Sequence, residues 1–405
     1  MKQFLVLVSI MLAISTTAQT QLQQGFWRAS LTRKDNNAVM FNFKLQYVNS
    51  QPVLYIINAA ERIKVTNIVV TKDDSVIIQM PVFESQFRAK LINKTKLEGV
   101  WIKGGAKENQ IMPFFAVAND GKRFTVTAAA NKNISGKWAV SFGQKAIPAI
   151  AIFQQKGTQL SGSIVTPTGD YRYLDGVVNG DTLLLSTFDG GHAFLFSAII
   201  NSNKTISNGK FYSGATSSEV FTAIKNDTAT LPDLAAMQVK DGDGKLNFSF
   251  KGLDGKFVSL TDERFKNKVV IVQLMGSWCP NCMDETAFLT EFYDKNKQRG
   301  VEVVALAYEL TDNFERSKKS VQKFKDRFNV QYPILITGVT VSDEKRTEKT
   351  LPQLTPIKVF PSTIILDKYG KIRTIDTGFF GPGTGEYFEH FKKGFNKIID
   401  GLVKE

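Results

Sequence analysis

Two cysteines occur in 405 residues, and they stand two residues apart in "GSWCPNCMDE", residues 276–285. Thiols at this spacing could staple a turn, supply half of a metal site or run a redox couple. A crosslink that closes so short a loop removes little entropy from the unfolded chain, because that gain rises with loop length. A structural zinc needs four ligands and a catalytic one three plus water. The two histidines, His192 and His390, lie far from the cysteine pair and from each other, so no metal is expected. His192, within "GGHAFLF", reads as a strand residue with a satisfied ring, and His390 as part of a solvated helical face. The redox reading has a mechanism. Cys279 stands where the apolar run "VVIVQLM" gives way to a helix opening on Pro280, the residue best suited to a first helical position. The free N–H groups and positive dipole end of that helix stabilise a thiolate at Cys279, lowering its pKa from the free value of about 8.5. Cys282, one turn later, is shielded and keeps its proton. Cys279 is therefore the candidate nucleophile and Cys282 the resolving thiol of a dithiol–disulfide couple that needs no other cofactor.

The elements that must position this pair follow from the pattern around it. From residue 245 onward strands and helices alternate: a hairpin around Asp254-Gly255, the buried strand "VVIVQLM", the cysteine helix, the strand "VEVVALAY", and "NFERSKKSVQKFKDRF", whose Phe314, Ser317, Val321, Phe324 and Phe328 share one helical face. "YPILIT", a hairpin of "STIILD" and "KIRTID", and a closing helix with Phe388, Phe391, Phe395, Ile398 and Leu402 complete the set. Such alternation predicts an α/β domain with a central mixed sheet flanked by helices on both faces. Along the helix after the cysteines, Met283, Phe288 and Phe292 read as packing residues. Asp284 reads as a surface carboxylate near a helix N-terminus.

Residues 19–224 have another character. Short alternating or apolar runs such as "SVIIQM", "FRAKL", "DTLLLSTF" and "AFLFSAII" are bounded by Gly, Asp and Asn, and no amphipathic helix of useful length appears. An internal duplication is visible: "NKTKLEGVW" at Asn93 matches "NKTISNGKF" at Asn203, and "GFW" at Gly25 answers "GKW" at Gly136. Two β-meander copies, residues 25–118 and 134–224, are expected as barrels or a sandwich. The stretch "TPTGDYRYLDG" (residues 166–176) reads either as tight turns between staves or as the mouth of a ligand or partner site. Residues 225–244 mix Asp, Thr, Pro and Gly without periodicity and are read as a linker. Residues 1–18 carry Lys2, an apolar run and small residues spaced as a cleavage site, which is the pattern of a secretory signal peptide. With no cysteine after the apolar run, a lipoprotein is not expected. No later run is long enough for a transmembrane segment.

On "VVIVQLMGSWCPNC", on Glu285, and on "VFPSTIILDKYGKI" before a β-hairpin, the region from residue 245 to 405 resembles the TlpA/ResA-like exported thiol-disulfide oxidoreductases of the thioredoxin superfamily. The resemblance implies a thioredoxin-like fold, a cis peptide bond at Pro361, and Trp278 as part of the catalytic motif. It implies a docking surface for extended clients made of Phe360, Pro280 and Asn281. Thioredoxins carry a buried Asp six residues before the first cysteine; here that position is Gln273, and the resemblance implies Glu285 as the substitute that handles protons and tunes the thiols. It further implies disulfide-bearing exported proteins as clients, apocytochrome c being the family's common one, and a membrane thiol donor of the DsbD/CcdA type. The long form with an added β-rich half resembles exported proteins of Bacteroidetes-type bacteria, which points to the periplasm of a Gram-negative cell.

The formal charge of +13 is spread over both halves, and basic spots such as Arg316, Lys318 and Lys319 lie among acidic residues. A solvated surface is expected rather than a nucleic-acid site. With no histidine between the cysteines, and with Asp284 and Glu285 opposing the helix dipole, the couple is expected to act as a reductant of protein disulfides. The competing readings are a disulfide isomerase, which shares the motif, and a binding protein whose thioredoxin-like half is a redox-silent scaffold. A peroxidase is disfavoured, since no Thr or second proline precedes Cys279.

Overall fold

The computed structural model describes residues 21–232 and 236–405; the expected signal peptide lies outside the described residues. The described residues build three sheets. The first is a nine-stranded antiparallel meander from Gly25–Thr32 to Gln110–Ala118, in which these first and last strands pair with each other. Its two edges, Glu61–Val65 and Ile68–Val70, do not pair, so it is a nearly closed barrel. The second runs from Gly136–Phe142 to Ser217–Lys225, which again pair, and it closes fully through Ile147–Lys156 against Gln159–Thr166.

The duplication seen in the sequence has a structural counterpart. Trp27 and Trp138 are fully buried at equivalent points of the two opening strands. Each indole donates to a carbonyl four residues back, Trp27 Nε1 to Gln23 at 2.9 Å and Trp138 Nε1 to Ile134 at 2.8 Å. The glycines before them, Gly25 and Gly136, have φ of 116° and 108°, a region that L side chains rarely adopt. The Asn93 and Asn203 stretches both form hairpin turns, between Ser85–Asn93 and Lys96–Lys103 and between Ala193–Ser202 and Thr205–Ser213. Alternation places Val76, Ile78 and Met80 in the first core. The barrels share apolar packing, because Phe188 of the second lies 4.4 Å from Phe41 of the first, ring centre to ring centre.

The third sheet has seven strands in the order Phe257–Ser259, Ser249–Gly252, Ile334–Ile336, Val301–Ala307, Val269–Met275, Ser362–Leu366, Ile372–Thr377. The pairs among Ile334–Ile336, Val301–Ala307 and Val269–Met275 are parallel and the rest antiparallel. The central strand Val269–Met275 is buried throughout because both faces are covered. One face carries the long helices α1 (Pro280–Asn296), α2 (Phe314–Phe328) and, after the short α3 (Arg346–Thr350), α4 (Glu386–Lys404). The opposite face is covered by Leu351 after α3, by Phe265, and by residues 237–248. The helices are thus divided unequally between the faces. The later part of the expected linker is not free: Met237 is buried on that face, and the Gln238 N–H donates to Thr355 Oγ1 at 2.8 Å.

The barrels sit directly on the third unit. Arg316 of α2, expected on a solvated basic patch, instead forks onto Glu84 of the first barrel at 2.9 and 3.2 Å, and Lys323 Nζ donates to the Phe83 carbonyl at 2.8 Å. Among the described residues no helix is long and apolar enough to cross a membrane.

Candidate redox site

Cys279 is the N-cap of α1, with extended backbone (φ −96°, ψ 122°), and Pro280 follows at the first helical position. The two cysteines form a disulfide. Cys279 Sγ accepts from the Cys282 backbone N–H at 3.2 Å, the hydrogen bond by which a helix end stabilises charge on the capping atom. No acidic side chain lies in the first turn. The Phe360–Pro361 peptide bond is cis, and the Phe360 carbonyl oxygen lies 3.5 Å from Cys279 Sγ. The strand end, the helix start and the proline loop therefore converge on one sulfur.

Trp278 packs edge-on to Phe360 with ring centres 5.9 Å apart, and its Nε1 donates to the Tyr308 carbonyl at 2.8 Å. Gly276 makes this possible, since a Cβ there would lie 2.2 Å from the indole nitrogen. Ser277 is fixed by Glu309, which accepts from its N–H at 2.8 Å and its hydroxyl at 2.6 Å. Burial pushes the Glu309 carboxyl up. Glu309 was not singled out from the sequence; it stands beyond the end of Val301–Ala307, and no local pattern marks it.

Glu285 lies one helical turn beyond Cys282 and is buried. Gln273 Nε2 donates to one of its oxygens at 2.8 Å and Thr363 Oγ1 to the other at 2.7 Å. Burial pushes its carboxyl up to about 7, against the opposing pull of these two donors. Gln273, which cannot take a proton, thus hydrogen-bonds a carboxylate supplied by the helix. Met283 and Phe292 are buried and Phe288 is half-buried, all in the apolar cluster that contains both cysteines.

Asp284 departs from its expected place on the surface. It is buried, and the guanidinium of Arg172 forks onto it from the second barrel, Nε to Oδ2 and Nη2 to Oδ1 at 2.7 Å each. Arg172 also reaches Glu61 of the first barrel at 2.6 Å and lies 3.8 Å from Asp189. One buried cation therefore joins carboxylates from all three units, a pairing that a buried charge requires. Sequence reading missed it because the partners are 111 and 112 residues apart. His192 sits beside Asp189, with Nδ1 3.0 Å from its carboxylate, and burial lowers its pKa. His390 is exposed.

Of the expected docking residues, Phe360 and Pro280 are half-buried, whereas Asn281 is covered. Its amide donates to the Asp170 carbonyl at 3.2 Å and Arg172 forks onto Asp284, so residues 169–172 of the second barrel, within the stretch 166–176 read as turns or a partner site, lie against the cysteine helix. Asp170 itself is buried and pushed up to about 7, by burial and by the charge of Asp284. Among the described residues no cluster of three or more His, Cys, Asp or Glu could hold a metal ion.

The Redoxin family matches residues 238–388. The thiol-disulfide oxidoreductase ResA of Halalkalibacterium halodurans is 28% identical over 138 residues, covering 34% of this chain and 68% of that protein. The ResA of Geobacillus thermodenitrificans is 30% identical over 132 residues, covering 33% and 66%. The chain thus spans about two thirds of the length of these relatives, and its barrels lie outside the match. A solved thiol:disulfide interchange protein of the thioredoxin family from Chlorobium tepidum is 19% identical, covers 40% of this chain and 99% of its own, and has a TM-score of 0.29. On the family match and the ResA relatives, residues 238–388 are a Redoxin domain homologous to the ResA thiol-disulfide oxidoreductases, and the mixed sheet with its flanking helices described above is thioredoxin-like.

Proposed function

We propose that the protein is an exported reductase of protein disulfides, working in the periplasm of a Gram-negative bacterium. The observation that carries this reading is the cysteine pair at the N-terminus of α1 with the Phe360 carbonyl against Cys279 and buried Glu285 one turn past Cys282. In the reduced form the Cys279 thiolate attacks one sulfur of a client disulfide, forming a mixed disulfide and releasing a client thiolate. Cys282 then loses its proton toward Glu285 and attacks Cys279 Sγ. This restores the internal disulfide, releases the second client thiolate and completes a two-electron reduction of the client. A carboxyl held near neutral pH is suited to that transfer. Return to the dithiol needs an external thiol, in this reading a membrane donor of the DsbD/CcdA type. Clients are disulfide-bearing exported proteins, with apocytochrome c one member of the class. The direction of reaction draws on the absence of a cation or histidine in the first turn of α1 and on the carboxyl of Glu285, since Asp284 is neutralised by Arg172.

A redox-silent scaffold is the second reading, and the covering of the cysteine helix by the barrels favours it. The test is reduction of a short disulfide-closed peptide with dithiothreitol as the recharging thiol. Turnover that Cys279→Ser abolishes supports the reductase or its isomerase variant. A pair that never reduces under native conditions supports the scaffold.

A further inference from the structure

Thioredoxin-like sites of this shape offer clients the rim around the nucleophilic sulfur. Here much of that rim is occupied by the chain itself. The second barrel sets its loop of residues 166–173 against it through residues 168–172. The Asp170 carbonyl takes the Asn281 amide, the Asp170 carboxylate accepts the Gly381 N–H at 2.7 Å, and a Cβ on Gly378 would meet the Thr168 backbone at 3.1 Å. On another side Val82 and Phe83 of the first barrel belong to the same apolar cluster as both cysteines. Three half-buried residues, Trp278, Pro280 and Phe360, flank the buried Cys279. The fork from Arg172 to Asp284 fastens the second-barrel loop to the cysteine helix.

We infer that the loop of residues 166–173, pinned by the Arg172–Asp284 pair, is a specificity wall of the disulfide site: it confines clients to the Trp278–Phe360 side, admitting flexible segments and excluding the broad surfaces of folded proteins. This rests on the reductase reading above. Arg172 acts as a positioning residue, since its contacts are to carboxylates and not to the cysteines. The wall gives the barrels a role at the chemistry rather than that of a tethered module.

The test compares rate constants for oxidation of the reduced full-length protein by two probes, a short disulfide-closed peptide and folded insulin. It is run on the wild type, Asp284→Asn and Arg172→Ala, with circular dichroism to confirm folding. Asp284→Asn leaves Arg172 its other two carboxylates, so it keeps the test alive if Arg172→Ala does not fold. The wall predicts that each folded variant raises the insulin-to-peptide rate ratio by about fivefold or more, because specificity is a ratio of such constants. A charge effect on the Cys279 thiolate predicts something different: one variant removes an anion and the other a cation, so both probes move together, in opposite directions for the two variants, at a fixed ratio. That outcome, or a ratio unchanged within about twofold, overturns the wall. A wild-type protein that oxidises with neither probe overturns the reductase reading along with it.

Discussion

Replacing Glu285 by glutamine removes a buried acid while keeping its shape. The glutamine oxygen can accept from Gln273 Nε2, and its amide can donate to Thr363 Oγ1. The wild-type carboxyl titrates at about 7 in the folded chain against an ordinary value of 4.5, chiefly because burial penalises its charge. Below about pH 4.5 the group is protonated in both folded and unfolded chains and costs nothing. As pH rises toward 7 the unfolded chain releases the proton first, so the folded state binds more protons and stability falls. Above 7 the full cost is present, roughly 3 kcal/mol for a displacement of this size. Urea denaturation of the oxidised proteins, in which no cysteine titrates, should therefore show Glu285→Gln gaining about 3 kcal/mol on the wild type between pH 4 and 8.5. Asp170, which also titrates near 7, is common to both proteins and cancels in the difference. In kinetics, resolution of the mixed disulfide should slow about 10²-fold or more at neutral pH and lose its inflection near 7, the scale of a lost general base. A stability difference flat across the range refutes the buried-charge argument, and an unchanged resolution rate refutes the proton role.

Other consequences are as direct. Cys282→Ser should accumulate a mixed disulfide between Cys279 and a disulfide-closed peptide, visible by mass spectrometry, while Cys279→Ser should form none. Trp138→Ala should cost about 3–5 kcal/mol of stability by leaving a cavity at the start of the second barrel, measured by chemical denaturation; a cost below about 1 kcal/mol would contradict the packing described. Gly276→Ala should lose about 1–3 kcal/mol as its Cβ displaces the Trp278 indole from the Tyr308 carbonyl, and unchanged stability would contradict that contact.

The features legible in the sequence are those whose physics is local. A buried apolar strand running into Trp-Cys-Pro-Asn-Cys marks a strand–helix junction, because Pro280 and the capping sulfur act within a few residues of one another. The spacing of Phe314, Val321 and Phe324 marks a helix for the same reason. The duplication was visible through Gly25 and Gly136, whose positive φ only glycine adopts readily, and through the tryptophans that follow, whose indole hydrogen bonds reach back only four residues. What could not be read depends on partners more than a hundred residues away. Asp284 looks like any acidic residue early in a helix until Arg172 arrives from another unit. Arg316 looks solvated until Glu84 meets it, and Asn281 looks available until Asp170 covers it. Periodicity reports which face of an element is apolar. It does not report which polar groups a neighbouring unit will bury.

Whether Cys279 and Cys282 form a reducing couple is decided by their reduction potential. The protein lacking residues 1–18 would be equilibrated against defined ratios of reduced and oxidised glutathione or dithiothreitol, with the thiols trapped and counted. A reductase should show a potential at or below about −220 mV, in the range of thioredoxin and the glutaredoxins. A value well above about −180 mV, or a disulfide that dithiothreitol never reduces in the native protein, would contradict it.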